Sequence, residues 1–422
     1  MIGGGRPPLG LLLALLWLVA VSLRSVSIGV APVLPLIRRD LGISYAEAGI
    51  LFALPVAVMG LSAVPGARLA DRLGTWLAIG ISLALLALGG GLRAVAPGYA
   101  AMLGLTALFA VGIGLAQPSL PRLVRDWFPR RRASATGIYT AGLISGAILA
   151  AVATGPLVLW LGAASWRGTC VVWAGLAGAS LVAWLMLGPR RGPGPLRSRP
   201  VAARTAPPAA RDRTPAGLGT VLRDRTAWLI TLLFLLQGLI YYQLSGWLPT
   251  YYLELGLGVD AAGLPLTVLN VAMLPSSLGV PFLSDRYGRR RPFLVGACVL
   301  FLAGMVGLLV SPLAPWWLWC ALAGGAIGAV FALALALPID LLDAQRAAAT
   351  ISLVFTVGYT GALASPLLAG ALRDALGSFA LALVPALGLG VIMLALAVVL
   401  PETGRGIRGA LYAGPNAVDR QD

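Results

Sequence analysis

Arg24 stands in the middle of the apolar stretch LGLLLALLWLVAVSLRSVSIGVAPVLPLIRR, which runs from Leu9 to Arg39. A charge held at mid-bilayer depth costs at least about 2.5–3.5 kcal/mol, so something must offset it. No carboxylate falls in the middle third of any apolar run. Asp40, Glu47, Glu254 and Asp260 lie in loops at one end of the runs, and Asp126 and Asp340 lie near the other end. Proton relays in transporters usually pass through buried Asp, Glu or His, so a carboxylate relay is disfavoured. The functional reading is that an anionic substrate supplies the negative charge opposite Arg24. The structural alternatives are helix carbonyls, snorkelling, or a salt bridge to a residue placed elsewhere.

Other polar side chains could line the same site. Gln237, Tyr241 and Ser245 are four apart and share one helix face, with Tyr242 and Trp247 beside them. Gln117, Tyr139, Asn270 and Tyr359 add amide and phenol groups on four further runs. Any one of them is accounted for as a packing residue with a satisfied hydrogen bond. Tyr139 and Tyr359 also suit an interfacial position near a helix end. As a set with Arg24 they form the candidate substrate-binding residues.

Other chemistries lack their residues. The chain has no His, and Cys170, Cys298 and Cys320 lie in or at the edge of apolar runs without metal spacing. No nucleophile–base pair is evident, so the protein is read as a non-enzyme that uses no cofactor and no metal.

The elements that must position these residues follow from composition. Of the 422 residues, 59% are hydrophobic and 11% charged, against about 25% charged in soluble domains. Apolar runs predict twelve helices, at 9–36, 45–69, 75–95, 98–124, 134–161, 168–188, 226–253, 261–283, 292–311, 315–341, 347–372 and 377–400. Each is long enough to cross about 30 Å of hydrocarbon at about 1.5 Å per residue. The first run exceeds a signal-peptide h-region of about 7–15 residues and is read as a retained span. Between the sixth and seventh helices, residues 189–225 are rich in Pro and Arg, which reads as a flexible linker.

The net charge of +16 would point to nucleic acid in a soluble protein, but most arginines fall in short loops between spans, so no nucleic-acid partner is expected. With the N-terminus inside, 25 arginines fall on the cytoplasmic side and five (Arg38, Arg39, Arg93, Arg167 and Arg373) on the other. That asymmetry predicts cytoplasmic N- and C-termini.

The halves repeat. At a constant offset of 214 residues Pro35 meets Pro249, and Leu41-Gly42 meets Leu255-Gly256. Asp71-Arg72-x-Gly74 meets Asp285-Arg286-x-Gly288, Asp126 meets Asp340, and Arg132-Ala133 meets Arg346-Ala347. Each half is therefore one copy of a six-helix unit, and an even helix number keeps both copies in one orientation. Parallel repeats about an axis along the membrane normal are the arrangement of major facilitator halves. By the same offset Arg24 corresponds to Gly238 on the seventh helix.

The loops GARLADRLGTW and FLSDRYGRRRPF resemble the signature between helices 2 and 3 of the major facilitator superfamily and its copy between helices 8 and 9. The first departs from the pattern with Thr75-Trp76 where the basic pair belongs; the second has Pro281 at the small position. Asp71, Arg72, Asp126, Arg132, Asp285, Arg286, Asp340 and Arg346 are the expected cytoplasmic ion-pair and gating network, with simple helix-end neutralisation as the alternative.

The stretches SLRSVSIGVAPVLPLIRRDLGISYAEAGILFALPV and LLQGLIYYQLSGWLPTYYLELGLGVDAAG resemble the cyanate permease and nitroimidazole transporter family of that superfamily. The family's Leu-Arg pair falls on Leu23-Arg24, its Gln and Tyr on Gln237 and Tyr242, and its Trp-Leu-Pro on Trp247-Leu248-Pro249. The family often has Asn where this chain has Ser22. The resemblance implies small polar solutes, often anions.

The expectation is thus an all-α membrane protein with twelve transmembrane helices in two pseudo-symmetric six-helix bundles. The divisions are 1–188, the linker 189–225, 226–400 and a tail 401–422. It is expected to be a monomer of the bacterial inner membrane that moves a small anionic, polar solute by alternating access. An exporter of neutral or cationic lipophilic compounds, and a non-transporting sensor or scaffold, are the alternatives.

Overall fold

Proline, glycine and the apolar runs divide the chain into helices joined by tight turns. The computed structural model describes residues 8–128, 131–162, 166–188 and 221–402. The linker residues 189–220 and the tail from 403 fall outside that description.

The helices in chain order are α1 (Leu9–Ile28), α2 (Leu34–Leu41), α3 (Tyr45–Leu73), α4 (Thr75–Leu92), α5 (Tyr99–Trp127), α6 (Arg132–Trp160) and α7 (Trp166–Leu187). The second half holds α8 (Arg225–Glu254), α9 (Leu264–Tyr287), α10 (Arg291–Val310), α11 (Trp316–Leu341), α12 (Ala344–Gly361), α13 (Ala364–Leu376) and α14 (Phe379–Val399). No strand occurs among the described residues. Among the described residues, twelve spans are long and apolar enough to cross a membrane. The fold is all-α, as the apolar runs predict.

Two spans are broken where one helix is expected. The first gives way after Ile28 to a short 3-10 turn, Ala31–Val33, before α2. Pro32 and Pro35 supply no N–H there, so the α-helical ladder cannot run through. The eleventh breaks between α12 and α13 at Ala362-Leu363, just ahead of Pro366. Proline is accommodated in the first turn of the new helix, where its missing donor is not needed.

The repeat has a backbone cause. Gly42 (φ 63°) and Gly256 (φ 97°) end matching helices, and Gly74 (φ 83°) and Gly288 (φ 64°) stand in the matching DRxG turns. All four adopt the left-handed region that a Cβ disfavours, so these turns require glycine at the offset positions.

Large apolar side chains such as Leu61, Trp160, Met186 and Val310 lie on the exterior, as expected of surfaces that meet lipid tails.

By contacts the chain forms two compact units. The first comprises Met1–Thr214, Tyr242–Thr267 and Tyr359–Ala382; the second comprises Pro215–Tyr241, Val268–Gly358 and Leu383–Asp422.

Candidate functional site

In the first unit, α1 is pinned along its length. The Ser22 hydroxyl meets that of Ser180 on α7 at 2.7 Å. On α6, Gly146 faces Val21 and Arg24, and a Cβ there would stand 3.1 Å from the Arg24 Cβ and run into the Val21 carbonyl. The close α1–α6 crossing therefore fixes the point from which the Arg24 side chain departs. Arg24 is half-buried. Its Cζ lies 6.0 Å from the ring centroid of Tyr242 on α8, at the outer limit for a cation over a π face.

The other candidates of this unit occupy nearby helices. Gln117 of α5 is half-buried, and its amide Nε2 lies 3.3 Å from the Met59 sulfur on α3. Tyr359 ends α12 against α3, 3.5 Å from where a Cβ on Gly60 would stand. Tyr139 is half-buried on α6. The structure thus brings Arg24 together with Tyr242, and Gln117 and Tyr359 each onto α3. Ser245 is fully buried, and its hydroxyl makes no hydrogen bond within the described residues.

In the second unit, Gln237, Tyr241 and Asn270 are all buried. The Tyr241 hydroxyl donates to Asn270 Oδ1 at 3.3 Å. One turn before Gln237, Phe234 packs against Phe331 and Phe355, which holds that part of α8 in place.

Sequence reasoning passed over Gln243. It is buried, its Nε2 donates to the Ala382 carbonyl at 3.1 Å, and its Oε1 accepts from the Ser365 hydroxyl at 3.1 Å. Those bonds occupy the amide in tying α8 to α13 and α14. Trp247 does the same beside it, donating to the Pro366 carbonyl at 2.9 Å.

A polar seal lies at the end of the first unit where α3 begins. Asp374 on α13 accepts from the Tyr45 and Ala46 amides at 3.0 and 2.9 Å. These first-turn donors have no partner within their own helix. Ser44 and Glu47 form a capping box there. Arg373 pairs with Glu254 at 2.6 Å and lies 4.9 Å over the Tyr45 ring, while Arg38 lies 4.1 Å over the same ring. The helices approach through two glycines: a Cβ on Gly370 would run into the Tyr45 carbonyl, and one on Gly49 into the Pro366 carbonyl. Asp40 and Arg167 pair at 2.8 Å at the same end.

At the arginine-rich end of the second unit, Asp285 and Asp340 converge on Arg290, at 2.5 and 2.9 Å. Arg290 also donates to the Pro281 carbonyl and the Ser284 hydroxyl. Arg290 was outside the network read from sequence. Its signal was the basic pair after Gly288. Arg346 pairs with Asp343 at 2.5 Å and Asp224 at 3.4 Å, and hydrogen bonding to Asp343 holds its guanidinium above the ordinary value. Arg286 is exposed. In the first unit Asp126 pairs with the adjacent Arg125 at 3.4 Å, both well exposed, and Arg72 is exposed. The side chains of Asp71 and Arg132 lie outside the described residues.

Among the described residues, no three His, Cys, Asp or Glu side chains are placed to hold a metal ion. The arrangement offers a cation, amides, phenols and hydroxyls inside membrane-spanning helices, groups that can bind a small polar solute.

The spans, the doubled six-helix pattern and the polar groups set within the helices define a polytopic membrane protein. The sequence profile of the Major Facilitator Superfamily matches residues 16–366 and again 253–411, and the chain belongs to that superfamily. It is 29% identical to the cyanate transport protein CynX of Escherichia coli (strain K12) over 369 residues, covering 87% of this chain and 91% of that one. It is 28% identical to the 2-nitroimidazole transporter of the same organism over 396 residues, covering 92% and 93%. Among solved structures, a bacterial homologue of the human lysosomal transporter Spinster shares the fold with a TM-score of 0.71 at 19% identity, covering 94% of this chain and 95% of that one.

Proposed function

We propose that the protein is a secondary transporter of a small, polar anion and that Arg24 is the group that captures it. The observation that carries this reading is the half-buried guanidinium of Arg24 on α1 beside the Tyr242 ring. A carboxylate-like or pseudohalide anion would take charge-assisted hydrogen bonds from the guanidinium fork, which are about twice as strong as neutral ones. Tyr242, Gln117, Tyr139 and Tyr359, all of the first unit, would complete its contacts. The similarity to a transport protein for cyanate, itself a small anion, supports the charge class.

Transport proceeds by alternating access. With the termini cytoplasmic, the α3–α13 seal closes the external face, and the charge network of Arg290, Asp285, Asp340 and Arg346 belongs to the cytoplasmic one. The cell membrane of a bacterium is the setting. Neutralisation of Arg24 by the solute lowers the cost of closing around it, which favours exchange, or symport of the anion with a cation.

The test is uptake of labelled small anions, cyanate, formate and nitrate among them, into proteoliposomes by the wild-type protein and by Arg24→Gln. Accumulation of at least one anion that Arg24→Gln loses by about a hundredfold supports the reading. Uptake of every transported anion left intact in Arg24→Gln overturns it. Transport confined to neutral or cationic lipophilic compounds replaces it with the exporter reading.

A further inference from the structure

A groove of about 350 Å³ lies on the second unit between α9, α10 and α11, and no residue assigned to the solute lines it. That volume sits at the lower end of the roughly 300–1,000 Å³ of small-molecule sites. Its lining combines small residues, Gly296, Gly325, Ala326 and Ala329, with the larger Phe293 and Leu300. Leu278 and Phe282 stand exposed on the adjoining stretch of α9.

The direction of the groove says what would fill it. On α10 its lining runs from Pro292 to Leu300, and on the antiparallel α11 from Ala329 back to Ala321. Eight residues of helix are about 12 Å. The groove therefore starts at the arginine-rich turn and descends nearly the depth of one leaflet, half of a hydrocarbon core of about 30 Å. A soluble ligand has no need of such an apolar slot running down the bilayer; an acyl chain does.

The mouth supplies charge. The turn before Pro292 reads DRYGRRR. Arg290 is drawn inward by Asp285, Asp340 and Ser284. Glu402 accepts from the Arg290 and Arg291 backbone amides at 3.1 and 3.4 Å. Arg286 and Arg289 are exposed and Arg291 half-buried at the membrane edge. Tyr287 packs on Phe293 with ring centroids 6.0 Å apart, an aromatic pair at the level where headgroups lie. Basic groups at a helix end beside an apolar cleft suit a phosphate headgroup.

We infer that this groove binds one anionic phospholipid, with an acyl chain between α9, α10 and α11 and its phosphate at Arg289 and Arg291. The inference rests on the membrane fold and not on the identity of the transported solute.

The experiment is native mass spectrometry of the delipidated full-length protein titrated with phosphatidylglycerol or phosphatidylcholine. Two variants separate chain from headgroup: Gly296→Leu, where a Cβ meets nothing within 4 Å, and the double change Arg289→Gln with Arg291→Gln. The expected result is one tightly held phosphatidylglycerol, with phosphatidylcholine at least tenfold weaker, and about tenfold loss in each variant at unchanged melting temperature without lipid. Equal binding of the two lipids overturns the inference. So does loss in the arginine variant alone, which would leave only surface attraction. A Gly296→Leu protein that melts early is replaced by Gly325→Leu, and retention of the lipid there also overturns it.

Discussion

Arg24 illustrates how a single charge can be read. A guanidinium presents a planar fork of donors, whereas an ammonium is a compact point charge. Arg24→Lys should therefore keep part of the anion transport that Arg24→Gln loses, with a raised KM, measured as initial uptake rates against anion concentration. Arg24 was legible in the sequence because an ionised residue in an apolar run has no cheap alternative. Gln243 was not, because its partners Ser365 and Ala382 lie 122 and 139 residues away. Nothing local distinguishes an amide committed to packing from one open to a solute. Arg290 carries a stability prediction. It is 8% exposed and Asp340 15%, so removing it leaves a largely desolvated carboxylate without its counter-charge. Arg290→Gln should destabilise by about 2–3 kcal/mol, toward the low end for a broken buried pair because Asp285 is well exposed. A thermal melt in detergent would show this as a clear drop, with partial rescue by Arg290→Lys.

At the scale of elements, the approach of α13 to α3 is the most tightly specified contact. The carbonyl of Tyr45 lies where a side chain on residue 370 would have to go. Gly370→Leu should hold the two helices apart and stop transport, while anion-induced stabilisation in a thermal-shift assay persists. Asp374→Asn should act more gently, since a carboxylate at a helix N-terminus contributes about 0.5–2 kcal/mol. It should speed labelling of a cysteine placed at Thr360 by an impermeant maleimide. The native Cys170, Cys298 and Cys320 are buried and give little background. The positions of the spans were readable from apolar length, and their ends from Gly, Pro and Arg. The breaks at Gly29 and Ala362-Leu363 were not. Pro32, Pro35 and Pro366 announce strain in the helical ladder, but membrane helices often absorb proline without breaking; α3, α5, α9 and α14 each do so here.

At the scale of the molecule, the two copies share turns more strictly than they share chemistry. Gly42 with Gly256 and Gly74 with Gly288 recur because the backbone demands them. Arg24 has no counterpart at Gly238. Duplication thus supplies the scaffold twice and leaves each copy to present its own polar face. If the solute offsets the charge of Arg24 during closure, exchange should outrun net flux. Efflux of preloaded labelled anion from proteoliposomes should accelerate severalfold when unlabelled anion is added outside, and Arg24→Gln should abolish that acceleration. The bonds of Asp374 carry one more consequence. If the proposed alternation parts α13 from α3, the amides of Tyr45 and Ala46, the Asp374 carboxylate and the rings around Tyr45 must all be taken up by solvent. On that reading opening is a hydration step, and its rate would depend on water activity as much as on solute. An excluded osmolyte such as sucrose, which disfavours newly exposed surface, should slow it in wild type and slow it less in Asp374→Asn.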